Sequence, residues 1–125
     1  MPQLPESVTN ALEECAGPYV FATVSQDSKP NSIYVAWCWA EGADTLVICD
    51  NYFSKSRENI LKGSRGAILF LTPAGESFQV KGSLEYLTEG PIFQRMLGIV
   101  ADEHPRVAAV ALKVEEAYSG SDRLA

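Results

Sequence analysis

Six short runs rich in β-branched and aromatic residues, each closed by turn formers, leave this chain few folds: residues 19–25, 31–40, 45–49, 67–72, 78–87 and 107–114, the last extending toward Tyr118. The connections Gln26-Asp27-Ser28-Lys29-Pro30, Glu41-Gly42-Ala43-Asp44 and Pro73-Ala74-Gly75-Glu76 are hairpin-sized, so neighbouring runs fold back on one another antiparallel. Three helical stretches interrupt them, at residues 5–14, 55–61 and 91–100. No strand leads into a G-x-G-x-x-G turn and no G-x-x-x-x-G-K-[ST] run occurs, so neither nucleotide-binding loop is available. The pattern predicts a mainly β protein with short helices: a six-stranded antiparallel barrel, closed or split, in one domain over residues 1–125.

Within the runs, periodicity assigns faces. In residues 31–40, Ile33, Val35, Trp37 and Trp39 alternate with Ser32, Tyr34, Ala36 and Cys38, and the first set is expected to face the core. The first helix presents Val8, Ala11, Leu12 and Cys15 on one side, and the third presents Ile92, Phe93, Met96, Leu97 and Val100. Residues 119–125 read as a polar tail.

The segment Asp50-Asn51-Tyr52-Phe53-Ser54-Lys55-Ser56-Arg57-Glu58-Asn59-Ile60-Leu61 combines strand end, turn and short helix. Ser54 is the expected N-cap, its hydroxyl accepting from first-turn amides. Lys55, Ser56 and Arg57 then fall in the first turn, where bare amides, cations and a hydroxyl suit a phosphate. Spacing alone equally allows Lys55 and Arg57 as solvated cations.

Composition removes several classes. A net charge of -6 and a pI near 4.7 argue against a nucleic-acid partner, which normally needs a basic face. The longest fully apolar run, residues 34–40, is far too short to cross a bilayer. The first ten residues carry no secretory signal, so a cytoplasmic protein is expected. Cys15, Cys38 and Cys49 are isolated and odd in number, which fits buried, reduced thiols rather than a metal site. The single histidine, His104, precedes Pro105 in an expected loop and reads as solvated, so no catalytic side chain is assigned.

The order of elements, with Lys55-Ser56-Arg57-Glu58-Asn59-Ile60 after the third run and Val80-Lys81-Gly82 some 25 residues later, resembles the pyridoxamine 5′-phosphate oxidase-like, FMN-binding split-barrel family. The likeness covers residues 16–118. It implies FMN as cofactor and a homodimer with the flavin between two barrels. Carried over, it sets Ser32, Ile33, Tyr34 and Val35 beside the flavin ring and Asp50 and Asn51 at the turn near the ring or ribityl chain. Lys55 and Ser56 would take the phosphate, Asn59 would brace the turn, and Gln79 and Lys81 would approach from a neighbouring strand or subunit. Trp37, Trp39, Tyr86 and Phe93 are apolar material available for an interface.

The Arg-x-His substrate motif and long N-terminal extension of the true oxidases are not found, and Ser56 stands where the family more usually has threonine. The implied function is a small flavin-dependent oxidoreductase or electron carrier with a small-molecule or protein electron partner. Alternatives are a pyridoxamine 5′-phosphate oxidase-type enzyme, a deazaflavin or haem binder, and a cofactor-free dimeric module. Haem is disfavoured by the single histidine.

Overall fold

The computed structural model describes residues 2–125. Its strands are β1 (Tyr19–Val24), β2 (Pro30–Val35), β3 (Cys38–Glu41), β4 (Thr45–Asp50), β5 (Gly66–Leu71), β6 (Ser77–Leu87), β7 (Ala108–Ser119) and β8 (Asp122–Arg123). The helices are α1 (Glu6–Glu14), α2 (Lys55–Leu61) and α3 (Pro91–Ile99). All pairings are antiparallel, in the order β2-β1-β5-β6-β7-β4-β3, with β8 on the outer half of β7. The mainly antiparallel split barrel with three short helices is as expected.

The long strands β6 and β7 join its two halves. Residues 77–82 of β6 lie between β5 and β7, whereas residues 83–87 pair with β7 alone. The first half of β7 lies between β6 and β4. The register slips at Lys81/Gly82, where β6 bends. A Cβ on Gly82 would sit 1.8 Å from the Lys113 carbonyl oxygen, so the close approach at this bulge admits only glycine.

Two strands more than the predicted six arise for identifiable reasons. The run 31–40 breaks at Ala36 and Trp37, and its pieces lie at opposite ends of the sheet order, β2 on β1 and β3 on β4. Those two residues carry the chain across the barrel mouth. The break also shifts the alternation by one. Ile33 and Val35 face the main core, but beyond the break it is Cys38 and Ala40 that do so, while Trp37 and Trp39 pack under α3. A single slip in a period-two pattern moves every later side chain to the other face. The supposed polar tail turns back as β8, and Ala125 packs against the core.

The main core lies inside the barrel, filled by Phe21, Leu46, Ile48, Ile68, Val80, Val110 and Leu112, with α1 capping one end through Val8, Ala11 and Leu12. A second core lies outside, where α3 covers β4 and β7 through Met96, Val100, Ile92, Phe93 and Leu97. Hence β4 is buried on both faces along its whole length, and its apolar run Leu46-Val47-Ile48-Cys49 is the signature of that.

Candidate functional site

The turn after β4 is built on a buried carboxylate. Asp50 is fully buried; its oxygens accept from the Phe53 amide (2.9 Å), Arg57 Nε (2.7 Å), Arg57 Nη2 (3.1 Å) and the Tyr86 hydroxyl (2.5 Å). Arg57 Nε also reaches the Tyr86 oxygen at 3.0 Å. Burial, then the bond to Asp50, pushes the Tyr86 phenol up to about 12. The bond to Asp50 likewise raises Arg57 above the ordinary arginine range. Arg57 is therefore committed to Asp50 and is not the phosphate-side cation that the first-turn spacing suggested. Ser54 occupies the N-cap position of α2 with no side-chain capping bond, so the expected hydroxyl cap is not made.

Beside this turn lies a cavity of about 450 Å³. Its long wall is β2, through Asn31, Ile33 and Val35, continued by Ala36 and Trp37. One end is polar: Ser54, Lys55 and Ser56 line it. Ser56 is buried and its hydroxyl accepts from Asn31 Nδ2 at 3.0 Å, which fastens α2 to β2. Asn59 is buried too and donates to the Thr23 hydroxyl at 3.0 Å, a brace to β1. Lys55 is exposed, and its ammonium pairs with no carboxylate among the described residues.

The remaining walls come from the β4 turn, with Cys49, Asn51, Tyr52 and Phe53, and from His104 in the loop between α3 and β7. That loop is pinned to the turn. The Arg106 amide donates to Asn51 Oδ1 (3.0 Å), and the Val107 amide to the Asp50 carbonyl (2.8 Å). His104 Nδ1 lies 3.2 Å from the Tyr52 hydroxyl, and the imidazole stands edge-on to Trp37 with centroids 5.2 Å apart. The histidine read as a solvated loop residue is thus part of the cavity wall. Burial pushes the Cys49 thiol up to about 11, so it stays protonated near neutrality.

Of the residues singled out from sequence, Ile33, Tyr34, Val35, Asn51, Lys55 and Ser56 converge on this cavity. Asp50 and Asn59 support it from behind. Ser32 is exposed and pairs across to Ala22. Gln79 lies between Leu69 and Tyr118 in the sheet, and Lys81 sits over the Tyr118 ring at 5.4 Å. Neither lines the cavity of its own chain. Sequence reasoning missed Asn31, Trp37, Tyr52 and His104. Asn31 was within reach, being in phase with Ile33 and Val35; His104 had no local signal.

A flavin mononucleotide needs a dianion site joined to a flat apolar slot with a few polar groups. The donor set fits: a free ammonium and hydroxyls at one end, aliphatic side chains along β2, and an imidazole and a phenol beyond them. Trp37, Trp39 and Phe93, named from sequence as material available for an interface, pack partly buried against the second core, and the Tyr86 hydroxyl donates to Asp50.

The sequence signature described as pyridoxamine 5′-phosphate oxidase matches residues 7–119. No curated protein matches the chain. Among solved structures, HupZ from Group A Streptococcus superposes with a TM-score of 0.80 at 19% identity, covering 98% of each chain. An FMN-binding protein from Syntrophomonas wolfei has a TM-score of 0.79 at 18% identity, over 90% of this chain and 83% of that one. A pyridoxamine 5′-phosphate oxidase-related, FMN-binding protein from Nostoc punctiforme has a TM-score of 0.71 at 14% identity, over 98% and 90%. Signature and fold agree, and the chain belongs to the pyridoxamine 5′-phosphate oxidase family.

Proposed function

We propose that this chain binds FMN and acts as a small flavin-dependent oxidoreductase or electron carrier in a homodimer. One observation carries the proposal: a single cavity joins a phosphate-suited end, Lys55 and Ser56, to an apolar slot along β2. When bound, the flavin supplies the electron-transfer chemistry itself. The chain's residues bind and orient it: Lys55 and the Ser56 hydroxyl hold the phosphate, and Ile33 and Val35 flank the ring. Phe53 is held by Asp50 and by stacking on Phe21 with centroids 5.8 Å apart, which keeps the turn rigid.

Dimerisation draws support from the outer sheet face. Tyr34, Val20, Leu69, Gln79 and Tyr118 form one cross-strand row on it, and Leu71 is 60% exposed beside them. Tyr34 belongs both to this face and to the cavity wall, so a second copy there would cover the flavin and bring its own Gln79 and Lys81 near.

Oxidation of pyridoxamine 5′-phosphate is the weaker assignment, because a second phosphate needs free cations. Arg106 donates to the Leu97 carbonyl at 3.0 Å, Lys113 lies 3.9 Å from Asp44, and Arg123 lies 4.0 Å from Glu116.

The test is Lys55→Ala with two ligands. A charge-assisted hydrogen bond contributes about 1.5–3 kcal/mol, so FMN affinity should fall roughly ten- to a hundredfold. Riboflavin, lacking the phosphate, should bind both proteins alike. Equal losses would move Lys55 away from the phosphate, and a purified protein that ignores both ligands would refute the flavin assignment.

A further inference from the structure

We infer that His104 meets the polar edge of the flavin ring and stabilises the ring's reduced, anionic form, with Tyr52 as its positioning residue. This rests on the flavin assignment. A phosphate at Lys55 leaves the rest of the cavity for the ring, and that remainder ends at Trp37, Tyr52 and His104. Among the described residues on that part of the wall, the imidazole is the side chain that can carry a positive charge. The Cys49 thiol stays neutral, and this chain's own Lys81 lies over Tyr118 outside the wall.

His104 is held in place. Its Nδ1 is engaged by Tyr52 at 3.2 Å, and its loop is tied to Asp50 and Asn51. Nε2 has no hydrogen-bond partner among the described residues: the Glu103 carboxylate is 3.9 Å away, too far for a hydrogen bond. A tied-down imidazole with one unpaired nitrogen, set in an apolar cavity, is suited to an oxygen or nitrogen acceptor that gains charge. Reduction gives it one. Two electrons from a reductant and one proton from solvent would leave a bound flavin ring with a net negative charge. A nearby imidazolium favours that form, and the anion in turn favours the protonated imidazole. The titratable groups around His104 are the Tyr52 phenol and the Glu103 carboxylate, with Lys55 and Cys49 further along the same cavity.

The chain's single histidine makes the test unambiguous. FMN binding is read by flavin fluorescence, and His104 by the NMR signals of its imidazole C–H protons. Adding FMN should shift those signals, and reducing the bound flavin with dithionite should raise the midpoint of the His104 titration. His104→Asn should weaken reduced flavin about tenfold more than oxidised flavin, which for a two-electron couple lowers the potential by about 30 mV. Tyr52→Phe should lower it by less. If FMN binds while the His104 signals stay still, or the potential of His104→Asn is unchanged, the inference is overturned and the flavin assignment stands. If fluorescence shows no FMN binding, both fall.

Discussion

Asp50 shows how one residue sets the site without lining it. Its carboxylate is fully buried and satisfied by four donor contacts, two of them ionic, from Arg57. Removing one partner of a buried ion pair leaves an uncompensated charge, at a cost of about 3–5 kcal/mol. Arg57 is 36% exposed, so water can partly replace it, and Arg57→Met should lie toward the lower end of that range when measured by urea unfolding. The Tyr86 phenol gives a pH signature. Its folded value, about 12, is above the usual 10, so the native state holds this proton more tightly than the unfolded chain does. Its contribution is complete below pH 10 and is lost as pH rises toward 12. Tyr19, pushed up to about 12 chiefly by burial, acts in the same window and with the same sign. Urea midpoints should therefore fall through that interval, and Tyr86→Phe should flatten the fall.

At the scale of elements, the β6 bulge is the most constrained point. Gly82 lies against the Lys113 carbonyl, and a methyl group could enter only by separating β6 from β7. Overpacking of this kind costs typically 1–3 kcal/mol, and with backbone as the obstacle Gly82→Ala should reach the top of that range. Thermal unfolding measures it; a change below about 0.5 kcal/mol, the usual size of a surface substitution, would mean that the strands can part freely. The glycine of Val80-Lys81-Gly82, noted in the sequence as part of a family pattern, has here a structural reason: the bulge lets β6 pass from one half of the barrel to the other.

At the scale of the whole molecule, apolar side chains remain on the outer face of β2, β1 and β5, uncovered among the described residues. Tyr34 is 76% exposed there, and Leu69 and Leu71 follow it along the sheet. Light scattering in dilute buffer should give the mass of a dimer, and Leu69→Glu should shift it toward the monomer while weakening FMN. A wild-type protein that stays monomeric at all concentrations would remove the two-subunit site. None of its helices is long and apolar enough to cross a membrane among the described residues.

What the sequence determined by itself was local and periodic. The strand runs, the apolar faces of α1 and α3 and the Lys55-Ser56 turn all follow from neighbours a few residues apart. Their patterns hold wherever the element lies in the fold. What only the tertiary structure decided were matters of sheet order and distant contact. The one-residue slip at Ala36 and Trp37 is invisible in an otherwise unbroken alternation, because it exists only where the chain crosses between the two ends of the sheet. Arg57 looks like a phosphate ligand until Tyr86, 29 residues on, joins it at Asp50. His104 looks solvated until the fold places it against Tyr52, 52 residues away. No spacing encodes such pairs; they depend on which strands become neighbours.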